Sequence, residues 1–89
     1  MTTYHFLIKG RVQGVGYRFF TYISAKKYLI KGWVRNLDNG DVEILAQGSS
    51  TGMEKFKKSL RQGPSFSKVQ DILEEISDHE QFLSFNIKN

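Results

Sequence analysis

Gly10-Arg11-Val12-Gln13-Gly14-Val15-Gly16-Tyr17-Arg18 joins two segments of different hydrophobic period, and how it is read decides the fold. Before it, Tyr4, Phe6, Ile8 and Val12 alternate along the chain, the pattern of a half-buried strand. After it, Phe19, Tyr22, Ile23 and Ile30 recur near helical spacing, which predicts an amphipathic helix over 18–29. Gly10, Gly14 and Gly16 crowd the connection and let successive backbone N–H groups converge into a concave nest. The loop leads into a helix N-terminus, where unpaired N–H groups and the positive dipole end favour an anion. Its spacing has neither the second GxxG element of a dinucleotide-binding fingerprint nor the Gly-Lys-Ser/Thr of a Walker loop, so nucleotide binding is disfavoured.

Working outward, Gly32 breaks the helix, and Gly32-Trp33-Val34-Arg35-Asn36 reads as a strand. Asn39-Gly40 predicts a type I′ hairpin with positive φ at both residues, and Val42, Ile44 and Ala46 alternate in the returning strand. Thr51 and Glu54 fit a capping box, with Met53, Phe56 and Leu60 as the buried stripe of a second helix. Lys57, Lys58 and Arg61 suit the negative end of that helix, and Gly63-Pro64 stops it. Val69, Ile72, Leu73 and Ile76 have helical spacing, but the β-branched content and the Gly-Pro before them also permit a bulged strand. Phe85 and Ile87 suggest a short final strand. The order β-α-β-β-α-β predicts an α+β fold, an antiparallel sheet carrying two helices on one face.

At 89 residues the chain is expected to be one domain spanning 1–89. With 39% hydrophobic residues it is too apolar for a disordered segment. It has no cysteine, which excludes disulfide frameworks and thiolate chemistry, and no apolar run of membrane-spanning length. No secretory signal is visible at Met1–Lys9, which makes the cytoplasm the expected compartment. Residues 1–45 carry seven Lys/Arg against three Asp/Glu, whereas residues 46–89 carry six of each. The whole net charge of +4 therefore falls in the half that holds the glycine loop, and favours an anionic partner there.

Arg18 stands at the first turn of the predicted helix, where a cation opposes the dipole by about 0.3–1 kcal/mol. A bound phosphate removes the conflict, because guanidinium offers a bidentate fork to an anion held by the nest. A helix of about 11 residues climbs roughly 16 Å, and a five-residue strand returns by about 13–16 Å. Asn36 should therefore arrive level with the loop, where its amide can orient a water against a phosphoryl group. Capping the hairpin turn is an equal alternative for Asn36, as pairing with a carboxylate is for Arg18.

The segment at 10–18, taken with Gly-Trp-Val-Arg-Asn at 32–36, strongly resembles the acylphosphatase family. The resemblance covers the whole chain in length and element order, with Gly48, Gly63-Pro64, Val69 and Phe85-Asn86-Ile87 also in place. It implies a ferredoxin-like α/β sandwich with a short extra C-terminal strand, and hydrolysis of the carboxyl-phosphate bond of acyl phosphates. It also implies that 69–76 is a strand. By the same resemblance Arg18 is the phosphate-binding arginine, Asn36 the water-positioning asparagine, and the backbone of Gln13, Gly14, Val15, Gly16, Tyr17 and Arg18 the phosphate cradle. Tyr17 replaces the usual Phe, and Leu29 stands where a helix-ending Gly is frequent. If the left-handed conformation is kept there, Leu29 costs about 1–2 kcal/mol.

Because the carboxylate is a good leaving group, the chemistry left to the protein is binding and charge stabilisation in a loose in-line transfer. No general base is evident, so the attacking water is expected to give its proton to the substrate. His5 and His79 are isolated in the sequence, and Asp38 and Asp41 suit the hairpin, so neither metal nor cofactor is expected. Inorganic phosphate is the expected product and competitive inhibitor, and a monomer the expected state. Two rivals differ in class. One is an RNA-binding module of the same element order, since Val15–Phe20 superficially resembles an RNA-stacking motif, although that motif belongs on a central strand. The other is a non-catalytic regulatory domain, against which the presence of Arg18 and Asn36 argues.

Overall fold

The computed structural model describes all residues from Met1 to Asn89. The alternating apolar residues of the N-terminal segment form β1 (Thr2–Arg11), with Phe6 and Ile8 fully buried on one face. It is followed by α1 (Tyr17–Lys27), β2 (Lys31–Asn36), β3 (Val42–Gly48), α2 (Ser50–Gln62), β4 (Lys68–Ser77) and β5 (Phe85–Ile87). The sheet runs β4-β1-β3-β2-β5. The four longer strands pair antiparallel as expected, and β5 joins β2 in parallel. Register stacks one apolar face: Phe6 lies opposite Ile44, Ile8 opposite Val42, and Val34 opposite Ile44. Both helices cover this face, closing a core with Met53, Phe56 and Leu60 from α2 and Tyr17 and Ala25 from α1. This is the α+β ferredoxin-like sandwich.

β4 explains its own helical spacing. A register shift opposite Lys9/Gly10 leaves Gln70 as an extra residue, so Val69 and Ile72 reach the core face three positions apart. Gly10 is required at this bulge, since a Cβ there would collide with the Lys68 carbonyl. Leu73 turns to the opposite face, opposite Leu7.

Four local expectations are corrected. The buried face of α1 is Tyr17, Thr21, Ser24 and Ala25, while Phe19 and Ile23 are exposed, because the helix begins one residue earlier and Tyr17 roots it in the core. α1 ends at Lys27 rather than 29, in a Schellman arrangement: Ile30 N donates to Ala25 O at 2.8 Å and Leu29 N to Lys26 O at 3.4 Å. Leu29 holds the left-handed position with φ 58°, as its place in the pattern suggested. The α2 cap is Ser49, whose hydroxyl accepts from Gly52 N at 3.0 Å; Thr51 lies inside the first turn. In the β2–β3 hairpin only Gly40 has positive φ, with Gly40 N bonded to Leu37 O at 3.2 Å, so the turn is not type I′. Asn39 instead serves through its side chain, accepting from Asp41 N at 3.0 Å.

Candidate active site

The glycine loop descends from β1 into α1 with Gly14 at φ 74° and Gly16 at φ 81°, conformations that favour residues lacking a Cβ. Gly16 occupies the N-cap, and no side chain caps the helix. The first intrahelical bond is Phe20 N to Gly16 O, and no N–H of residues 13–19 donates to another group of the protein. A row of unpaired donors thus meets the positive end of the dipole.

Arg18 lies in the first turn of α1, half-buried, and forms no ion pair. Its one hydrogen bond within the protein is from Nη1 to the Lys88 carbonyl at 3.1 Å. That carbonyl is itself fixed, because Lys88 N donates to Val34 O at 2.8 Å just beyond β5. The remaining guanidinium donors are left for a ligand.

Asn36 closes β2 and arrives beside the loop, as the lengths of α1 and β2 predicted. Its Oδ1 is buried and accepts no hydrogen bond from the protein, and its side chain does not cap the hairpin. Gly14, Gly16, Arg18 and Asn36 wall one open groove of about 240 Å³, together with Phe19 and Ile87. Gln13 and Val15 do not line it; Val15 packs against the core.

Gln13 has a second place in the site that sequence reasoning did not find. Its Nε2 donates to Leu37 O at 2.8 Å and to Asp41 O at 2.9 Å, tying the loop to the hairpin that begins directly after Asn36. Both partners lie more than 20 residues away, so no local pattern announces them. The Lys88 carbonyl is equally silent in sequence, being backbone.

No acidic or histidine side chain walls the groove. Tyr17 lies beneath it, but burial pushes its phenol up, and its hydroxyl donates to Leu60 O at 2.7 Å, joining α1 to α2. Asp41 accepts from Lys9 Nζ at 2.7 Å and belongs to the hairpin. His5 is not isolated: on the sheet face away from the helices it bonds Glu43 at 2.8 Å, and Arg35 Nε holds the other Glu43 oxygen at 2.6 Å. Burial raises the Glu43 carboxyl, but these two partners outweigh it and hold it below the usual range. His79 stacks on Phe82 at 4.3 Å between ring centroids.

This geometry of unpaired amides, a guanidinium free of any ion pair and an orphaned amide oxygen suits an anion with a polarised water beside it. Comparison with known proteins points the same way. The family model described as Acylphosphatase matches residues 4–87. An acylphosphatase of Bacillus licheniformis is 44% identical over 88 residues, covering 98% of both chains. The crystal structure of acylphosphatase from Bacillus subtilis superposes with a TM-score of 0.96 at 41% identity, over the full length of both. Full-length HypF, crystallised in its phosphate- and nucleotide-bound form, contains a similar unit: TM-score 0.89, 27% identity, 99% of this chain but 12% of that one. Sequence along nearly the whole length and backbone agree, and this chain belongs to the acylphosphatase family of hydrolases.

Proposed function

We propose that the chain hydrolyses small acyl phosphates to a carboxylate and inorganic phosphate, with Arg18 and the backbone N–H groups of residues 13–18 holding the phosphoryl group and Asn36 positioning the water. The observation that carries this reading is the buried, unpartnered Asn36 Oδ1 in the same groove as Arg18 and the glycine loop. A buried carbonyl oxygen without a donor costs about 1–3 kcal/mol, and a water donating to it removes that cost. The same contact turns a water lone pair away from Asn36 and toward phosphorus.

In the reaction the water oxygen bonds to phosphorus as the bond from phosphorus to the acyl oxygen breaks. The electron pair leaves with the carboxylate, and the water proton passes to a non-bridging phosphoryl oxygen. A dianionic substrate thus gives a carboxylate and dihydrogen phosphate, and charge balances. The nest and Arg18 stabilise the equatorial oxygens, where charge is spread in a loose transition state. Every step uses groups of this chain, so neither metal nor cofactor enters the proposal.

The groove is complete within one chain, which supports a monomer over the single domain 1–89. Residues 15–20 lie in the loop and the first turn of α1 rather than on a central strand, which favours a small-molecule substrate over RNA. No helix is long and apolar enough to cross a membrane. We place the activity in the cytoplasm, where carboxylates are activated by phosphoryl transfer.

Acetyl phosphate assayed with EDTA present tests the reading. It should yield one phosphate per acetate, with inorganic phosphate competing. Folded Asn36→Ala should lose roughly 100- to 1,000-fold in kcat, the usual effect of removing one orienting group in such a site. Asn36→Asp should fail as well, its charge repelling the dianion. A wild-type chain inert toward acetyl phosphate, or an Asn36→Ala variant with undiminished kcat, would overturn it.

A further inference from the structure

Of the four asparagines in the chain, Asn39 is the one followed by glycine. It lies exposed in the β2–β3 turn and does not line the groove. Asp41 holds both ends of its carboxamide: Oδ1 accepts from the Asp41 N–H at 3.0 Å, and Nδ2 donates to Asp41 Oδ2 at 3.3 Å. The first contact draws electrons from Cγ and sets a donor where negative charge builds on Oδ1 when Cγ is attacked. The nucleophile next along the chain is the backbone nitrogen of Gly40. Beyond the adjacent residues, no atom comes within 4 Å of the position a Gly40 Cβ would take, so this nitrogen is unhindered. A single hydrogen bond of 3.2 Å, to Leu37 O, holds its N–H. Glycine also has the backbone freedom that closing a ring there requires.

We infer that Asn39-Gly40 is a self-modification site, where Asn39 converts to isoaspartate and thereby loosens the glycine loop. The Gly40 nitrogen, having given its proton to hydroxide, bonds to Asn39 Cγ, and the bond from Cγ to Nδ2 breaks. Nδ2 leaves as ammonia, taking a proton from water and restoring the hydroxide. The five-membered succinimide then adds water at one of its two carbonyls. Opening at the Asn39 main-chain carbonyl routes the backbone through Cγ and gives isoaspartate; opening at Cγ gives aspartate. The sum consumes one water and releases one ammonia.

The turn is pinned at both ends. Leu37 N donates to Asp41 O at 2.9 Å, and Gln13 Nε2 bridges Leu37 O and Asp41 O at 2.8 and 2.9 Å. Isoaspartate inserts one more carbon into the main chain between these pinned residues. The two carbonyls then lose the spacing that Gln13 spans, and Gln13 loses a partner. Gln13 belongs to the glycine loop, and Leu37 directly follows Asn36. The effect on activity rests on the proposed roles of that loop and of Asn36; the modification itself does not. Aspartate adds no carbon and only replaces the Nδ2 donor with an oxygen facing Asp41, so it disturbs the turn less.

The test warms the wild type and Asn39→Ser at mildly alkaline pH and follows the tryptic peptide from Asn36 to Lys55 by mass. The wild-type peptide should show NH2 replaced by OH at Asn39, with Asn36 in the same peptide unchanged. A methyltransferase specific for isoaspartyl residues should label it. Asn39→Ser keeps an oxygen acceptor for the Asp41 N–H but has no carboxamide, and should hold its mass and its activity. In the aged wild type, kcat/KM for acetyl phosphate should fall in step with the isoaspartyl fraction, far-UV circular dichroism staying constant. The isoaspartyl form should be about two- to tenfold less active, the scale of one lost hydrogen bond. Asn39→Asp should lose less. No mass change at Asn39, or an equal one at Asn36, would overturn the site. An isoaspartyl form as active as fresh protein, or an Asn39→Asp variant equally impaired, would overturn its hold on the loop. A fresh wild type inert toward acetyl phosphate would overturn the hydrolase reading instead, with the mass change still deciding the modification.

Discussion

The two helices lie on the same sheet face and obey different rules. α2 is capped by the Ser49 hydroxyl, buries Met53, Phe56 and Leu60 as one stripe, and ends at Gly63 in the left-handed region. α1 starts at a glycine with no side-chain cap, carries a cation in its first turn, and ends on a leucine at φ 58°. Its buried face is largely small or polar, Thr21, Ser24 and Ala25, so it contributes less apolar area than α2. Each irregularity at the α1 N-terminus removes something that would otherwise compete with an anion: no cap occupies the amides, and no carboxylate neutralises Arg18. α2 holds the fold together; α1 gives up local stability to present a charged, unpaired end.

Substitutions should separate these roles, the largest effect falling in α2. Phe56 is fully buried, with rings of Phe6 and Phe85 at 6.4 and 6.3 Å. Phe56→Ala should cost about 3–5 kcal/mol of unfolding free energy, read by urea titration. Phosphate should protect the folded fraction of that variant as it protects the wild type.

In α1 the pattern reverses. Arg18→Ala should weaken inorganic phosphate about 10- to 150-fold, the loss of charged hydrogen bonds worth about 1.5–3 kcal/mol, with turnover falling alongside. Lysine should restore little, since a point charge cannot form two parallel bonds. Without phosphate the same variant should be no less stable than the wild type, because a cation has left the positive end of the dipole. A clear loss of apo stability would mean that Arg18 is chiefly structural through Lys88.

At the far end of α1 a smaller gain is expected. Leu29 is exposed and holds the Schellman position that glycine occupies without strain. Leu29→Gly should stabilise by up to about 1 kcal/mol, the left-handed strain of about 1–2 kcal/mol less the extra backbone entropy of glycine. Activity should not change. An unchanged or lower melting temperature would show that the Leu29 strain is already relieved.

Acid should affect neither helix first. Glu43 is held below its unfolded value, so its contribution to stability is complete above about pH 4.3 and is lost as pH falls through the lower folded value. Glu43→Gln should flatten that acid limb. It should leave kcat between about pH 5.5 and 7.5 level, as in the wild type, because no acidic or histidine side chain walls the groove. A steep activity limb near neutrality, removed by changing His5 or His79, would reveal a general base.

What the sequence disclosed follows the same division. Strand alternation, the glycine loop, Arg18, Asn36 and the α2 stripe were legible because each rests on residues close together in the chain or on a length estimate. The buried face of α1 was misread because Phe19 and Ile23 look like core by hydrophobicity, whereas burial there follows from Tyr17 reaching the Leu60 carbonyl. The helical spacing of 69–76 was ambiguous because one bulged residue re-phases a strand. Gln13 was placed in the loop, but its hold on Leu37 and Asp41 depends on the folded hairpin. The α2 cap was displaced by two residues since Ser49, Ser50 and Thr51 are all competent hydroxyls.

Backbone amide shifts in a titration with inorganic phosphate test the central claim most directly, because the molecule carries its own control. Both helices present an N-terminus, one capped by Ser49 and one open at Gly16. The account predicts saturable shifts at the amides of residues 14–18, with Asn36 also perturbed and Ser50–Met53 unmoved. Equal shifts at the two N-termini, or none at residues 14–18, would contradict it.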